Sequence, residues 1–189
     1  MSLQVAKHCF TVAEFERMGE AGIFREDARL ELIEGEIVEM SPIGSRHAAC
    51  IDLLARLLRR QVEDFAIIRV QSPIQLDDFS EPQPDIALLK LRDDFYRHAH
   101  PTPADVLLVI EVADTTVEYD RLVKVPLYAK AEIKEVWVIN LPAERIEIYA
   151  EPLSGAYQII REVKPGEEAR AQSIAGLVVS ASTTIGEIL

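Results

Sequence analysis

Two carboxylates inside strongly apolar segments constrain the fold of this chain more than any other feature. Asp85 opens a short apolar run over residues 86–89, and Glu111 lies inside the apolar run 106–112. Both runs are typical of buried strands. A buried carboxylate is costly unless a cation or a hydrogen-bond donor lies beside it. The sequence therefore predicts a metal ion, a lysine, or both, near these two acids.

A predicted helix that follows the second strand supplies a lysine. Residues 118–131 place Asp120, Lys124 and Tyr128 four positions apart, so we expect the three side chains on one face of the helix. An ordinary ion pair between Asp120 and Lys124 would explain the same spacing. Lys124 is therefore a candidate partner for the two acids, or for its neighbour on the helix.

Composition favours one domain over residues 1–189. The chain has 49% hydrophobic and 28% charged residues, which suffices for one sizeable core, and it shows no low-complexity tract or fixed repeat. The first ten residues lack the apolar core of a signal peptide, and the run 106–110 is too short to cross a bilayer. Cys9 and Cys50 suggest neither a disulfide framework nor a zinc site. We expect a cytoplasmic protein with two reduced thiols.

Net charge limits the partners of this chain. The formal charge is −12, whereas nonspecific binding of nucleic acid depends on phosphate neutralisation by Lys and Arg. Arg56, Arg59 and Arg60 on one predicted helix form the best basic cluster. We favour a solvated helix face for them over a patch that contacts DNA.

The rest of the chain alternates between helix and strand patterns. Thr11 and Glu14 have the form of a capping box for a helix to about Glu20. A hairpin is expected around Glu34-Gly35, followed by a helix that Ser45 caps and that runs to about Asp64. The further expected extended segments are 66–70, 72–76, 135–140, 145–149 and 156–163, with 177–179 and 185–189 packing back on the domain. Trp137 is expected in the core or an interface.

Three histidines need separate interpretation. His47 lies beside the buried stripe of its helix and near the helix N-terminus, where the dipole disfavours a protonated ring. We favour a neutral, hydrogen-bonded core histidine over a catalytic one. His98 and His100 could ligate a metal, but no third ligand lies nearby in sequence, so we favour solvated loop histidines.

The residues alone suit one kind of chemistry. Hard Mg²⁺ takes oxygen ligands such as those of Asp85 and Glu111, and it can activate a bound water while neutralising a phosphate. A lysine nearby would orient that water or stabilise the developing charge. This pattern indicates divalent-metal hydrolysis of a phosphodiester.

The chain also resembles a known family along nearly its whole length. The residues that carry the resemblance are Glu31-Leu32-Ile33-Glu34-Gly35-Glu36-Ile37, Ser41-Pro42, His47, Pro84-Asp85, Glu111-Val112, Asp120, Lys124, Tyr128 and Glu135-Val136-Trp137. In this order they are similar to the Uma-two family of restriction-endonuclease-like proteins in the PD-(D/E)XK superfamily. The resemblance implies an α/β (α+β) fold, a restriction-endonuclease-like mixed sheet flanked by helices, with an additional N-terminal hairpin and C-terminal strands.

The resemblance also implies roles for individual residues. Asp85 and Glu111 would be metal ligands, with the carbonyl of Val112 as a third. The usual superfamily lysine, two positions after the acid, is replaced by Ala113, so Lys124 would act as a relocated lysine. The accessory site residues would be Glu31, His47, Asp120 and Tyr128.

Two segments depart from the family pattern. Residues 113–116 read Ala-Asp-Thr-Thr where a turn with Ser-Pro is typical, which would alter the loop beside the site. Glu132 stands where a glycine is expected after the helix, and glycine would relieve left-handed strain there. Neither departure removes a proposed metal ligand.

Two functions remain open from sequence. The first is a Mg²⁺-dependent or Mn²⁺-dependent endodeoxyribonuclease, cytoplasmic and homodimeric, whose product keeps a 5′-phosphate. The second is a catalytically silent nuclease fold that acts as a binding or assembly module, with Lys124 pairing structurally to Asp85 or Glu111. An open cleft with a basic rim would favour the nuclease, and a sealed cluster would favour the module.

Overall fold

The structure is a computed structural model that describes residues 7–185. The predicted packing of residues 186–189, and the first six residues of the N-terminal segment, lie outside this described part. Among the described residues no helix is both long and apolar enough to cross a membrane.

The elements follow one another in the alternating order that the sequence indicates. The helices are α1 (Val12–Glu20), α2 (Ser45–Val62), α3 (Val117–Tyr119), α4 (Val125–Lys130) and α5 (Ala181–Ile185), with a 3-10 turn at Pro103–Asp105. The strands are β1 (Leu30–Ile33), β2 (Glu36–Glu39), β3 (Ala66–Val70), β4 (Ile86–Lys90), β5 (Val106–Ala113), β6 (Glu135–Asn140), β7 (Arg145–Leu153), β8 (Ala156–Val163), β9 (Glu168–Arg170) and β10 (Val178–Ser180).

A six-stranded mixed sheet forms the centre of the fold. Its order is β3-β4-β5-β6-β7-β8, in which β5 and β6 are parallel and the other neighbours are antiparallel. The parallel pair follows from the helical crossover at residues 117–130, because parallel strands need a long connection. Strands β1 and β2 form the predicted hairpin, and β9 pairs with β10. The mixed sheet flanked by helices that the resemblance implies is confirmed.

Both faces of the sheet are covered, which explains why its central strands are continuously apolar. Helix α2 packs Leu54 and Leu58 on the face that contains Leu88 and Ile110. The helix at residues 117–130 packs on the opposite face with Val109, Val136 and Val138. Trp137 lies in the α2 layer and is fully buried, as expected for a core residue.

The helix starts confirm one expected cap and correct another. Thr11 and Glu14 form the predicted capping box at α1. The prediction that Ser45 caps α2 is wrong: Gly44 occupies the cap position with extended backbone, and Ser45 is the first helical residue. Glycine is tolerated at an N-cap because it leaves the first amides open to water.

The predicted strand at residues 72–76 is also wrong. Its amides bond to scattered carbonyls instead of a ladder: Ile74 donates to Pro82, Leu76 to Ser80 and Gln75 to Pro101. Pro73 removes one amide donor from the segment, which is consistent with this irregular backbone. The segment thereby ties together the loops on both sides of it.

The crossover helix carries a π-helical turn at Asp120–Lys124, between α3 and α4. The amide of Val125 donates to the carbonyl of Asp120, five residues earlier. Pro126 follows directly and has no amide to donate, so regular α-helical bonding cannot continue through it. Such turns often occur at functional sites, and this one contains Asp120 and Lys124.

Candidate active site

Strand register brings the two predicted acids together. Ile86 in β4 lies opposite Ile110 in β5, so Asp85, one residue earlier, lies beside Glu111. The backbone amide of Asp85 donates to Glu111 Oε2 at 3.3 Å. The side chain of Glu111 faces the layer of the crossover helix, as do those of Val109 and Ala113.

Lys124 is the cation of this cluster. Its Nζ lies 3.3 Å from Glu111 Oε1 and 3.2 Å from Glu31 Oε2. The helical ion pair with Asp120 that the spacing allowed is not the contact it makes. Asp120 instead accepts a hydrogen bond from Thr116 Oγ1 at 2.8 Å. The lysine thus connects β1 to β5.

Two tyrosines complete the environment of the acids. Tyr128 OH donates to Glu111 Oε1 at 2.6 Å, and Tyr119 OH donates to Glu31 Oε1 at 3.2 Å. The amide of Gln83 donates to Glu31 Oε2 at 3.2 Å. Each oxygen of Glu31 therefore has a donor, which fixes its carboxylate beside Lys124.

Asp85 has contacts on both of its oxygens. The amide of Val112 donates to Oδ2 at 2.8 Å, and His47 Nε2 lies 3.0 Å from the same oxygen. Gln71 donates to Oδ1 at 3.3 Å. The expected hydrogen bond of His47 is present, but its partner belongs to the acidic cluster. That bond raises the pKa of His47, although burial alone would lower it.

Acids outnumber cations in this cluster. All five charged residues of the cluster are buried: Glu31, Asp85, Glu111, Asp120 and Lys124. Burial raises the pKa of Glu111 to about 8 and that of Asp120 to about 6, with Lys124 opposing both shifts. Burial would lower the pKa of Lys124, but the surrounding carboxylates raise it overall, so the lysine stays charged. Four acids share one lysine in this cluster, and hard oxygen donors in excess suit a divalent cation.

A cavity of about 580 Å³ opens onto the cluster. Its lining includes Glu31, Asp85, Val112, Asp120 and Lys124. The side chain of Asp85 is 10% exposed, compared with 2% for Glu31 and 3% for Glu111. Glu111 and Tyr128 do not line the cavity and lie behind the other side chains. The cluster therefore faces the cavity with Glu31, Asp85, Asp120 and Lys124, whereas Glu111 lies behind them.

The rim of the cavity is only weakly basic. Arg29 lines it, and Arg46 lies 3.7 Å from the lining residue Asp114. The exposed residues Arg56, Arg59 and Arg60 do not line the cavity and lie on the solvent side of α2. The sequence interpretation of these three arginines as a solvated face agrees with the structure.

Three residues of the cluster have no counterpart in the sequence predictions. Gln71 bonds Asp85, Gln83 bonds Glu31, and so does Tyr119. Glutamine and tyrosine give no pattern of their own. Only the position of Gln83, two residues before Asp85, could have pointed to one of them.

The two departures from the family pattern have local consequences. Thr116 donates to Asp120, and Asp114, Thr115 and Thr116 line the cavity. Glu132 has a positive φ of 60°, which confirms left-handed backbone where glycine was expected. The segment 113–116 therefore changes the wall of the cavity. Glu132 places backbone strain just after the C-terminal end of α4.

Comparison with known proteins gives one family and one fold. Residues 12–182 match the Uma2 (Uma-two) family, described as "Putative restriction endonuclease". A crystal structure described as a "putative nuclease belonging to DUF820 from Anabaena variabilis ATCC 29413" has a similar fold, with a TM-score of 0.73. The two chains share 15% sequence identity, and the structural match covers 93% of this chain and 97% of the Anabaena chain. No curated protein matches the chain. The chain belongs to the Uma2 family, and this membership supports a nuclease.

Proposed function

We propose that this protein is a divalent-metal-dependent endodeoxyribonuclease. The observation that supports it best is the acidic cluster around Lys124, in which Glu31, Asp85 and Asp120 line a cavity. Buried carboxylates in excess of cations are costly, and a bound divalent cation would offset that cost. Nucleases of this kind hydrolyse phosphodiesters with such a cation.

Asp85 and Glu111 would hold Mg²⁺ or Mn²⁺, with the carbonyl of Val112 as a third ligand. The backbone amide of Asp85 donates to Glu111 Oε2, the amide of Val112 donates to Asp85 Oδ2, and Val112 lines the cavity. A bound cation of this class lowers the pKa of a water ligand and neutralises phosphate charge. The hard oxygen donors favour Mg²⁺ or Mn²⁺ over softer ions.

The protein side chains would then position the reactants. Lys124 stays charged and would orient the attacking water or stabilise the charge that develops on the phosphate. Glu31 holds Lys124 from the other side, and Tyr128 fixes Glu111. His47 orients Asp85 through its 3.0 Å contact. Asp120 would be a further accessory group at the cavity wall.

The charge of the chain affects how DNA would be bound. A net charge of −12 and a weakly basic rim disfavour tight binding of DNA by one chain. A homodimer would place two sites on one duplex and two rims against its backbone. We therefore include a homodimer, acting on DNA in the cytoplasm, in the proposal.

Cleavage of supercoiled plasmid tests the proposal. Wild-type protein is expected to nick or linearise the plasmid with Mg²⁺ or Mn²⁺ but not with EDTA, leaving ends that DNA ligase can reseal because they carry 5′-phosphates. Asp85→Asn keeps the shape of the side chain and should abolish cleavage. Asp78→Asn, at an exposed acid in the turn before it, is the matched control and should cleave as wild type does. Equal activity of Asp85→Asn would contradict the proposal.

A second candidate function has its own supporting observation. Lys124 and Glu111 are almost fully buried and paired, which is also what a structural ion pair in a silent binding module would show. The cavity at Asp85 favours the nuclease. If well-folded wild-type protein neither cleaves DNA nor binds Mg²⁺ or Mn²⁺, the nuclease is excluded and the silent binding module is the function that stands.

A further inference from the structure

A second polar cluster lies outside the candidate active site. Glu16 on α1, Glu81 before β4 and His100 before Pro101 each place one oxygen or ring nitrogen within 4.8 Å of the other two. They come from positions far apart in the chain, which is why the sequence showed no third ligand near His100, a residue that is partly buried rather than solvated as expected. His98, its partner in the His-x-His pair, is exposed.

Glu81 is a buried carboxylate without compensation. Its residue is 5% exposed, and its buried Oε2 has no hydrogen-bond partner among residues 7–185. The buried Nδ1 of His100 likewise has no partner within that range. Buried polar atoms are almost always paired, so each unpaired atom needs an explanation. Both atoms carry lone pairs, so one cation bound between them would satisfy Glu81 Oε2 and His100 Nδ1 together.

The backbone holds the three segments in place independently of their side chains. Glu81 exchanges two backbone hydrogen bonds with Leu32 in β1, at 2.7 and 3.4 Å. The start of α1 is fixed by Val12, whose amide donates to Asp78, and Pro101 accepts from Gln75. The backbone segments that carry the three side chains are therefore held near one another without any contact between those side chains. Such preorganisation favours ligand binding over chance proximity.

We propose that Glu16, Glu81 and His100 form a second metal site, for a first-row divalent cation such as Zn²⁺. Two carboxylates and an imidazole suit Zn²⁺, which is often held by three protein ligands and one water. Glu16 is exposed, so a cation can enter from solvent. Mg²⁺ and Ca²⁺ are poorer candidates because they prefer oxygen ligands alone.

The place of this site suggests that its role is structural. A cation there would connect α1, the segment before β4 and the loop before β5. Glu81 bonds Leu32, the neighbour of Glu31, and Glu31 holds Lys124 in the candidate active site. The cation would thus stiffen the strand that carries Glu31. The site needs no nuclease activity, so this proposal stands apart from the function proposed above.

Zinc titration of the full chain tests the proposal. The protein is freed of any histidine tag, stripped with EDTA and titrated by calorimetry in excess Mg²⁺, which would compete with Zn²⁺ at the candidate active site. Wild type is expected to bind one Zn²⁺. Glu16→Gln and His100→Gln should each raise the dissociation constant at least about tenfold. Glu20→Gln, the same change at an exposed position of α1, is the matched control and should leave it unchanged.

Histidine NMR locates the bound ion. Zn²⁺ should shift the ring resonances of His100, assigned through His100→Gln, and leave those of His47 in the other cluster unchanged. Absence of zinc binding by wild type would overturn the proposal. So would zinc binding that Glu16→Gln and His100→Gln both leave intact, or a shift confined to His47. Because Glu16 is exposed, its variant should fold even if changes at Glu81 do not.

Discussion

Lys124 on the crossover helix lies 3.3 Å from Glu111 in the central strand, and each is more than nine-tenths buried. Glu31 holds the same ammonium from the other side, at 3.2 Å. The lysine therefore compensates two buried carboxylates at once. Its removal should affect both the stability of the fold and the chemistry of the site.

Lys124→Met should destabilise the protein by about 3–5 kcal/mol, because it leaves two buried carboxylates without their cation. Lys130→Met is the matched control, since Lys130 pairs with Glu34 at the surface and such pairs contribute about 0–1 kcal/mol. Urea unfolding of the two variants measures the difference. Equal losses would show that Lys124 does not carry the charge balance described here.

At pH 9, above the pKa of about 8 of Glu111, Tyr128→Phe should cost about 1.5–3 kcal/mol, because Tyr128 donates to the ionised carboxylate at 2.6 Å. Tyr157 offers a neutral comparison, since its hydroxyl donates to the carbonyl of Ile133 at 2.7 Å. Tyr157→Phe should cost about 0.5–1.5 kcal/mol. Thermal unfolding of both variants tests the order. A larger loss for Tyr157→Phe at pH 9 would contradict a charge-assisted bond between Tyr128 and Glu111.

The acid dependence of stability should reflect Glu147. Burial alone would raise the pKa of Glu147, but hydrogen bonds from Arg121, Asn140, Arg145 and Tyr149 lower it overall to about 2, from an ordinary 4.5. The ionised form is held in the folded state, so the unfolded state binds the proton first. The stability from this group is present above about pH 4.5 and is lost as pH falls towards 2.

Glu147→Gln tests this pH window, because it removes the titrating group and keeps its shape. The variant should be less stable than wild type near pH 7, and its stability should fall less steeply between pH 4.5 and 2. Urea midpoints across that range measure the slope. Parallel curves for wild type and variant would refute the assignment to Glu147.

Glu132→Gly should stabilise the protein by about 0.5–1 kcal/mol. Glu132 has a φ of 60°, and left-handed backbone costs a residue with a Cβ about 1–2 kcal/mol, more than the extra chain entropy of glycine. Glu132→Ala keeps the Cβ and is the control, with no gain expected. A loss of stability in Glu132→Gly, measured by urea unfolding, would mean that the side chain does more than occupy the turn.

The acids and the lysine of the site could be predicted because a charged residue within or beside an apolar run is unusual and needs a partner. Glu111 lies inside an apolar run and Asp85 directly precedes one. The spacing of Asp120, Lys124 and Tyr128, four positions apart on a predicted helix, indicated the lysine. The partner of Lys124 could not be read in this way. The π-helical turn changes the direction of residues 120–124, so Lys124 meets Glu31 and Glu111 rather than Asp120.

Other features depended on contacts that no local pattern records. Gln71 and Tyr119 reach the site only through tertiary packing, and so does His100 in its cluster with Glu16 and Glu81. Residues 72–76 were expected to pair as an extended segment, yet their amides bond to scattered loop carbonyls rather than to a neighbouring strand. Local propensity was outweighed there by the surrounding loops.

The most direct test of the nuclease account is calorimetry of Mg²⁺ and Mn²⁺ binding, followed by plasmid cleavage in the same samples. The pair to compare is wild type and the double variant Asp85→Ala/Glu111→Ala, with folding checked by circular dichroism. The account predicts metal binding and cleavage by wild type, both lost in the double variant. Absence of both in well-folded wild type, with Mn²⁺ included, would contradict it and leave the silent module.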